Sequence, residues 1–150
     1  MTGRGQPAGR TGWLTEGVDT PHFTAAVTAF TAAFSDHLIG DVASFPDLFS
    51  DTATIDVPFD GDGDGAPIVG RAAIAEMSRS LAGFLWFDEV SFQSVRATAD
   101  PAVVVCEYQA VLRRADMPGR RRRRYIAVVT FSAGRISELR EYGGPFLRTQ

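Results

Sequence analysis

The chain has 150 residues, 45% of them hydrophobic, and a formal net charge of −3 at pH 7. This length suits one domain with a single core, and the hydrophobic share is typical of a globular protein rather than a disordered one. The acidic balance argues against a dedicated nucleic-acid-binding domain, which usually carries net positive charge. The single cysteine, Cys106, excludes both an intrachain disulfide and a zinc site built from cysteines.

The first 20 residues are rich in glycine and threonine and follow neither a helical nor a strand period. We expect a flexible tail there, followed by one domain over residues 21–150. This tail lacks the central apolar run of a signal peptide, and no segment approaches membrane-spanning length. The sequence therefore predicts a soluble cytoplasmic protein with no membrane partner.

Three helices are predicted in the first half of the domain. Thr20 can cap the first helix with Pro21 at its first position, and Asp41 starts a short second helix that Pro46 distorts. The third is "RAAIAEMSRSLAGF". The first helix carries an apolar stripe at helical spacing, which we interpret as a buried face: Phe23, Val27, Phe30 and Phe34.

Strand-like runs make up most of the remaining chain. The short strand "TATIDVPF" and the glycine-rich loop "DGDGDGAPIVG" precede the third helix. After it come "FDEVSFQSVRATA", "AVVVCEYQAVLRR", "RRYIAVVTFS" and "RISELREY", joined by turn signals. This order predicts an α+β fold in which a strongly curved, mostly antiparallel sheet wraps around about three helices as a cone with an internal pocket.

Two features of the sequence partly match metal-binding motifs, but each lacks a ligand that such a site needs. The loop from Asp60 to Gly65 matches the start of an EF-hand, yet its twelfth position is Arg71, a cation where calcium needs a glutamate. His22 and His37 are too far apart to form a ligand pair on one helical turn. No metal site is predicted.

Five consecutive arginines, Arg120–Arg124, lead into the fourth of the strand-like segments. Alternation along a strand sends Arg120, Arg122 and Arg124 to one face and the other two to the opposite face. The run therefore does not form a single basic surface, and no nucleic-acid partner is predicted.

The last long strand carries the candidate catalytic group. Alternation places one set of side chains together: Arg135, Ser137, Leu139 and Glu141. If Ala133-Gly134 is a two-residue hairpin loop, Ile126 lies opposite Glu141 and Arg124 is its diagonal neighbour. Tyr108, two strands away, can lie in the same row. A carboxylate on an apolar cavity wall suits proton transfer near neutral pH, whereas a plain ion pair with Arg124 is the alternative interpretation.

Three segments resemble the SnoaL-like family of the nuclear-transport-factor-2-like superfamily: "GDVASFPDLFSDTATID", "IVGRAAIAEM" and "FSAGRISELREYGGPF". The resemblance extends over about residues 22–148 and implies the same cone fold. Glu141 matches both the acid/base aspartate of the family's polyketide cyclases and the acid/base glutamate of its phenazine-biosynthesis proteins. The helix histidine of the latter falls on Met77. In a ketosteroid isomerase alignment the catalytic positions fall on Val57, Phe30 and Ala127, which argues against steroid isomerisation.

The resemblance implies an acid/base enzyme on a small carbonyl-bearing or polyketide-like metabolite, acting as a cyclase, isomerase or dehydratase. Glu141 is the expected proton shuttle and Tyr108 the expected oxyanion donor, with no cofactor required. The expected substrate-binding residues are Arg124, Phe30, Met77, Leu81 and Leu139. A non-catalytic ligand-binding module is the alternative function.

A homodimer through the outer sheet face is also expected. Val103, Val105 and Val111 lie on one face of a strand whose other face carries Val104, Cys106 and Tyr108. Both faces of this strand are therefore largely apolar, which indicates that both are covered.

Overall fold

The computed structural model describes residues 20–59 and 65–149. Its helices are α1 (Thr20–Gly40), a 3-10 helix (Val42–Leu48) and α2 (Arg71–Leu81). Its strands are β1 (Phe49–Asp56), β2 (Ile68–Val69), β3 (Leu85–Ala97), β4 (Val103–Arg114), β5 (Met117–Ser132), β6 (Arg135–Gly143) and β7 (Leu147–Arg148).

The strands form one open sheet in the order β2-β1-β6-β5-β4-β3, with β7 paired to β5. Among these described strands, every pairing is antiparallel except that of β1 with β6. Helix α1 packs against β3, and α2 packs against β1 and the 3-10 helix. This arrangement confirms the predicted α+β cone of a mostly antiparallel sheet around three helices.

The predicted helices and strands are present with small differences in their ends. Asp41 caps the 3-10 helix as expected, because its carboxylate accepts a hydrogen bond of 3.1 Å from the amide of Ala43. β1 and β5 begin earlier than predicted, at Phe49 and Met117, and the two-residue strands β2 and β7 were not predicted. The proposed flexible tail before Thr20 and most of the EF-hand-like loop, residues 60–64, lie outside the described residues.

The core lies between the helices and the inner face of the sheet. Alternate residues of β4 supply much of it: Val104, Cys106, Tyr108, Ala110 and Leu112. The apolar stripe of α1 contributes Phe34, which is 2% exposed and packs its ring against Phe45 and Phe92. The prediction that this stripe is a buried face is confirmed at Phe34.

The β5–β6 hairpin contains a bulge that the sequence did not predict. Its two-residue loop, Ala133-Gly134, has positive φ at both positions, as the tight hairpin turn requires. Phe131 pairs with Ile136, but the preceding residue, Thr130, pairs with Glu138, which leaves Ser137 as an extra residue on β6. Simple alternation along β6 is therefore wrong at Ser137: Ile136 and Leu139, three residues apart, are both buried.

The bulge also corrects the predicted cross-strand register. Ala127 lies opposite Glu141, whereas Ile126 lies opposite Tyr142 and is 47% exposed on the outer face. Arg124 shares that outer face and is exposed. The expectation that Arg124 lies beside Glu141 is therefore wrong, because the extra residue moves the pairing by one position.

Candidate active site

A cavity of about 350 Å³ lies between the helices and the inner face of the sheet. Its wall is mostly aliphatic and aromatic and receives residues from α1, the 3-10 helix, α2 and strands β1 and β3–β6. Side chains with polar atoms interrupt this wall: Ser78, Tyr108, Arg114, Arg123, Tyr125 and Glu141. An apolar cavity with a few converging polar groups is the usual form of a small-molecule site.

Tyr108 and Glu141 meet in this cavity across the intervening strand β5. The hydroxyl of Tyr108 donates a hydrogen bond to Oε2 of Glu141. The residue of β5 opposite Glu141 is Ala127, and its short side chain leaves room for this contact. The structure thus joins the two residues that the sequence assigned to catalysis.

Aromatic packing fixes the Tyr108 ring. It stacks on Tyr125 with 4.6 Å between ring centroids, and its centroid lies 5.4 Å from that of Phe34 and 5.1 Å from that of Phe92. Burial raises the pKa of Tyr108 well above its usual value, and the adjacent Glu141 charge raises it further. Tyr108 therefore stays protonated at neutral pH and remains a hydrogen-bond donor.

Arg123 is the second charged residue of the cavity wall, and it is 9% exposed. Its Nε donates a 2.7 Å hydrogen bond to the carbonyl oxygen of Gly144, and its guanidinium carbon lies 5.1 Å and 4.3 Å from the ring centroids of Tyr125 and Phe146. Gly143 makes this position possible, since any Cβ there would overlap the guanidinium. Cation–π contacts and the carbonyl offset part of the cost of burying this charge.

Arg114 is a further charged residue of the wall. It forms a two-point ion pair with Asp116, with Nε–Oδ1 and Nη2–Oδ2 distances of 2.9 Å and 2.7 Å. This pairing lowers the pKa of Asp116 through the hydrogen bonds from Arg114. The Arg114 guanidinium carbon also lies 4.8 Å from the Phe146 centroid, so the ring of Phe146 contacts both arginines.

The family model of the SnoaL-like domain matches residues 27–139, most of the chain. The protein belongs to the SnoaL-like domain family. YesE of Bacillus subtilis (strain 168) is 26% identical over 120 residues, which cover 73% of this chain and 82% of YesE.

Solved structures support the same fold. A Bacillus subtilis protein provisionally designated an isomerase superposes with a TM-score of 0.73 at 23% identity, covering 81% of this chain and 88% of that one. A phenazine biosynthesis-related protein of Pseudomonas aeruginosa gives 0.61 at 15% identity, covering 84% and 80%. An epoxide hydrolase of the LEH-like type from M. tuberculosis gives 0.60 at 25% identity, covering 81% and 84%.

The predicted substrate-binding residues of this SnoaL-like domain separate into two groups. Met77, Leu81 and Leu139 line the cavity that holds Tyr108 and Glu141. Phe30 instead lines a second cavity of about 510 Å³ at the opposite end of the strands, and Arg124 lies on the outer sheet face. Sequence reasoning missed Arg123. Two signals were available: Arg123 lies two residues before Tyr125 on one strand and so shares its face, and the Gly143-Gly144 pair leaves room for a large neighbouring side chain.

Other potentially reactive groups of the SnoaL-like domain have structural partners or are buried. His37 Nδ1 lies 2.6 Å from the Ser44 hydroxyl, which itself donates to the Asp41 carbonyl and so ties the end of α1 to the 3-10 helix. Burial raises the pKa of the Cys106 thiol to about 12. Within residues 20–59 and 65–149, no His, Cys, Asp and Glu side chains cluster as a metal site would require, and no helix is long and apolar enough to cross a membrane.

Proposed function

We propose that this SnoaL-like domain is a cofactor-independent acid/base enzyme acting on a small carbonyl-bearing or polyketide-like metabolite. The observation that carries the proposal is the Glu141 carboxylate, which faces an apolar cavity and accepts a hydrogen bond from the buried Tyr108. A positioned carboxylate within reach of a bound substrate is the main requirement for proton transfer from carbon.

The chemistry would begin when Glu141 removes a proton from the carbon next to a carbonyl group. The electron pair of the broken C–H bond moves to the carbonyl oxygen and forms an enolate. Returning the proton at another carbon gives isomerisation, attack on a second carbonyl gives cyclisation, and loss of a β-hydroxyl with that proton gives dehydration. Once Glu141 is neutral, the enolate oxygen becomes the better acceptor for the Tyr108 hydroxyl, so the same donor can stabilise the developing charge.

Related structures agree with this broad class. They include the phenazine biosynthesis-related protein, the LEH-like epoxide hydrolase, and SalBIII, an epoxide hydrolase/cyclase-like enzyme with a role in pyran ring formation in salinomycin. The SalBIII structure gives a TM-score of 0.63 at 22% identity and covers 84% of this chain. Because one fold hosts many reactions, the choice among cyclase, isomerase and dehydratase depends on the substrate.

Exchange of α-protons in D2O, followed by NMR on a panel of cyclic ketones, tests the proposal independently of the natural substrate. Glu141→Gln should lower the exchange rate by about 10²–10⁴-fold, the usual contribution of a general base. The matched control is Glu138→Gln, because Glu138 lies on the same strand but pairs with Arg140 on the outer face. Equal rates for wild type and Glu141→Gln would refute the catalytic role.

A ligand-binding module is the second candidate function. One observation favours it: Glu141 already accepts a hydrogen bond from Tyr108, and such a pair can serve to stabilise the fold rather than to transfer a proton. A binding module would be stabilised by the ketones or their analogues yet catalyse no exchange. The exchange experiment therefore separates the two functions.

We also propose that the protein is a homodimer through the outer sheet face. Ile126 is 47% exposed there. Val128, two residues further along β5, lies on the same face and pairs with Val105 of β4. Burial of such side chains would favour association. Sedimentation should show a dimer that Ile126→Asp converts to a monomer, and a monomeric wild type would contradict the proposal.

A further inference from the structure

Ser78 is a polar residue on the buried, otherwise apolar face of α2. It follows Ile74 by four residues and precedes Leu81 by three, so it belongs to the stripe at helical spacing that faces the core. Ile74 and Ser78 are fully buried, and Met77, Ser78 and Leu81 line the cavity that contains Glu141. An alanine in this stripe would have a higher helix propensity and no polar group to bury. The hydroxyl therefore has a cost that the helix itself does not recover.

The hydroxyl of Ser78 has no hydrogen-bond partner among the described residues. A second serine of the same helix shows the usual arrangement: Ser80 is exposed, and its hydroxyl donates a 3.1 Å hydrogen bond to the carbonyl oxygen of Glu76, four residues earlier. The equivalent carbonyl for Ser78 is that of Ile74, and Ser78 does not form this bond. A buried hydroxyl without a partner costs free energy, and a ligand atom that bonds to it recovers that cost.

The surroundings of Ser78 favour an uncharged ligand oxygen over an ionised group. Met77 and Leu81 of the same helix, and Phe84 and Leu85 just after it, give the cavity wall an apolar surface. One neutral hydroxyl would offset little of the cost of moving an ionised group from water to such a wall. A ligand hydroxyl or carbonyl group loses less hydration, and a single hydrogen bond replaces much of it. The side chain of Met77 is flexible and unbranched, so the wall can adjust at low cost as the ligand reaches the buried hydroxyl.

We infer that Ser78 is a specificity-determining residue of this cavity, and that the substrate carries a second, uncharged oxygen in addition to the reacting carbonyl group, as a hydroxyketone or a diketone does. Ser78 lies on α2, whereas Tyr108 and Glu141 lie on the sheet, so a substrate that contacts both walls is held at two points. Two polar contacts fix the orientation of a small molecule in a mostly apolar cavity. The cavity volume of about 350 Å³ suits a molecule of one or two rings. The inference rests on the proposed function for the reacting carbonyl group.

Matched ketones test the inference by isothermal titration calorimetry. The probes are α-tetralone and its isomers with one hydroxyl group on the aromatic ring, compared at slightly acidic pH, where the phenol is uncharged. At least one hydroxylated isomer should bind the wild type about 3–10-fold more tightly than α-tetralone, which is the contribution of one neutral hydrogen bond. Equal or weaker binding of every hydroxylated isomer would overturn the inference, as would no binding of any of them at millimolar concentration.

Isomers that carry a carboxylate in place of the hydroxyl group are the charged comparison. They should bind no more tightly than α-tetralone through Ser78, because the apolar wall does not compensate for their lost hydration. A carboxylated isomer that binds more tightly than every hydroxylated one, and loses this advantage in Ser78→Ala, would overturn the assignment to an uncharged oxygen.

Substitutions on α2 then locate the contact. Ser78→Ala should remove the preference for the hydroxylated ketone and leave the affinity for α-tetralone almost unchanged. Ser80→Ala makes the same change at an exposed position of the same helix, so it is the matched control and should keep the full preference. Ser78→Thr retains a hydroxyl group and should keep most of the preference. A preference that persists in Ser78→Ala would overturn the inference.

Thermal unfolding without ligand checks the state of the hydroxyl. Ser78→Ala should maintain or raise the midpoint of unfolding, because it removes a buried polar group without a partner and introduces a better helix former. A midpoint that falls further in Ser78→Ala than in Ser80→Ala would contradict the inference, since the Ser78 hydroxyl would then contribute a bond to the ligand-free fold.

The binding preference and the proton exchange are separate measurements, so they fail separately. Exchange that depends on Glu141, in a protein that binds hydroxylated and plain ketones equally, would contradict the role of Ser78 alone. A preference that depends on Ser78, in a protein that exchanges no protons, would support the role of Ser78 in ligand binding and contradict the proposed acid/base function alone.

Discussion

The cavity that contains Glu141 and the cavity lined by Phe30 differ more in chemistry than in size. The cavity with Glu141 is about 350 Å³ and contains charged and hydroxyl groups, whereas the one with Phe30 is about 510 Å³ and is apolar over all its described lining residues. The larger cavity has no described group that could move a proton. The curved sheet therefore supplies space at both ends, but only one end carries reactive side chains among the described residues.

The largest effect that distinguishes the cavities is expected from Tyr108→Phe. Loss of a hydrogen bond to a charged group should lower the rate of ketone proton exchange by about 10–100-fold with little change in KM. Phe131→Leu, in the wall of the apolar cavity, is the control and should leave the exchange rate near that of wild type. Rate measurements over a range of substrate concentrations separate kcat from KM. Similar kcat values for Tyr108→Phe and Phe131→Leu would contradict the prediction that only the cavity with Glu141 is catalytic.

A smaller effect should appear in stability at alkaline pH. The pKa of Tyr108 is raised in the fold, so this residue ionises first in the unfolded chain as pH rises above about 10, its usual value. Its stabilising contribution is complete below that pH and is lost above it, at up to about 1.4 kcal/mol per pH unit. Urea unfolding from neutral pH to pH 11 should show this slope, and Tyr108→Phe should flatten it. An unchanged slope in that variant would contradict the assignment to Tyr108.

The smallest effect is expected from filling the apolar cavity. Ala33→Leu adds aliphatic carbons to a cavity wall and should raise the free energy of unfolding by about 1 kcal/mol. Proton exchange should not change, because this cavity lies at the opposite end of the strands from Glu141. Chemical denaturation and the exchange assay together check both statements, and a loss of exchange would show that the two cavities are functionally coupled.

Regular patterns in the sequence were sufficient to predict the fold and part of the site. Period-two alternation placed Leu139 and Glu141 on one face, and helical spacing placed Met77 and Leu81 toward the core. Helical spacing could not show that Phe30 lies at the other end of the cone, because it defines a face but not a position along the sheet. The strand β2 is too short, at two residues, for alternation to reveal it.

Arg124 was predicted to line the cavity, but Arg123 lines it instead, and this error has a different cause. Both are identical residues in one run, so residue type gives no basis for choosing between them. The choice depended on pairing β5 with β6, and the extra residue at Ser137 changes that pairing without a glycine or proline to signal it. Pairing across strands is a property of tertiary structure, which local sequence patterns do not contain.

The Ser137 bulge makes the orientation of Glu141 a matter of strand pairing rather than residue identity. With Ile136 held in the core, pairing Ser137 as an ordinary strand residue would turn Glu141 outward and bring Arg140 and Tyr142 to the cavity side, whereas deletion of Ser137 would leave Glu141 facing the cavity. A protein could therefore lose this carboxylate from its cavity while keeping every residue of the strand. In a fold that hosts many reactions, the gain or loss of a single bulge in the last long strand offers a route from one set of cavity groups to another.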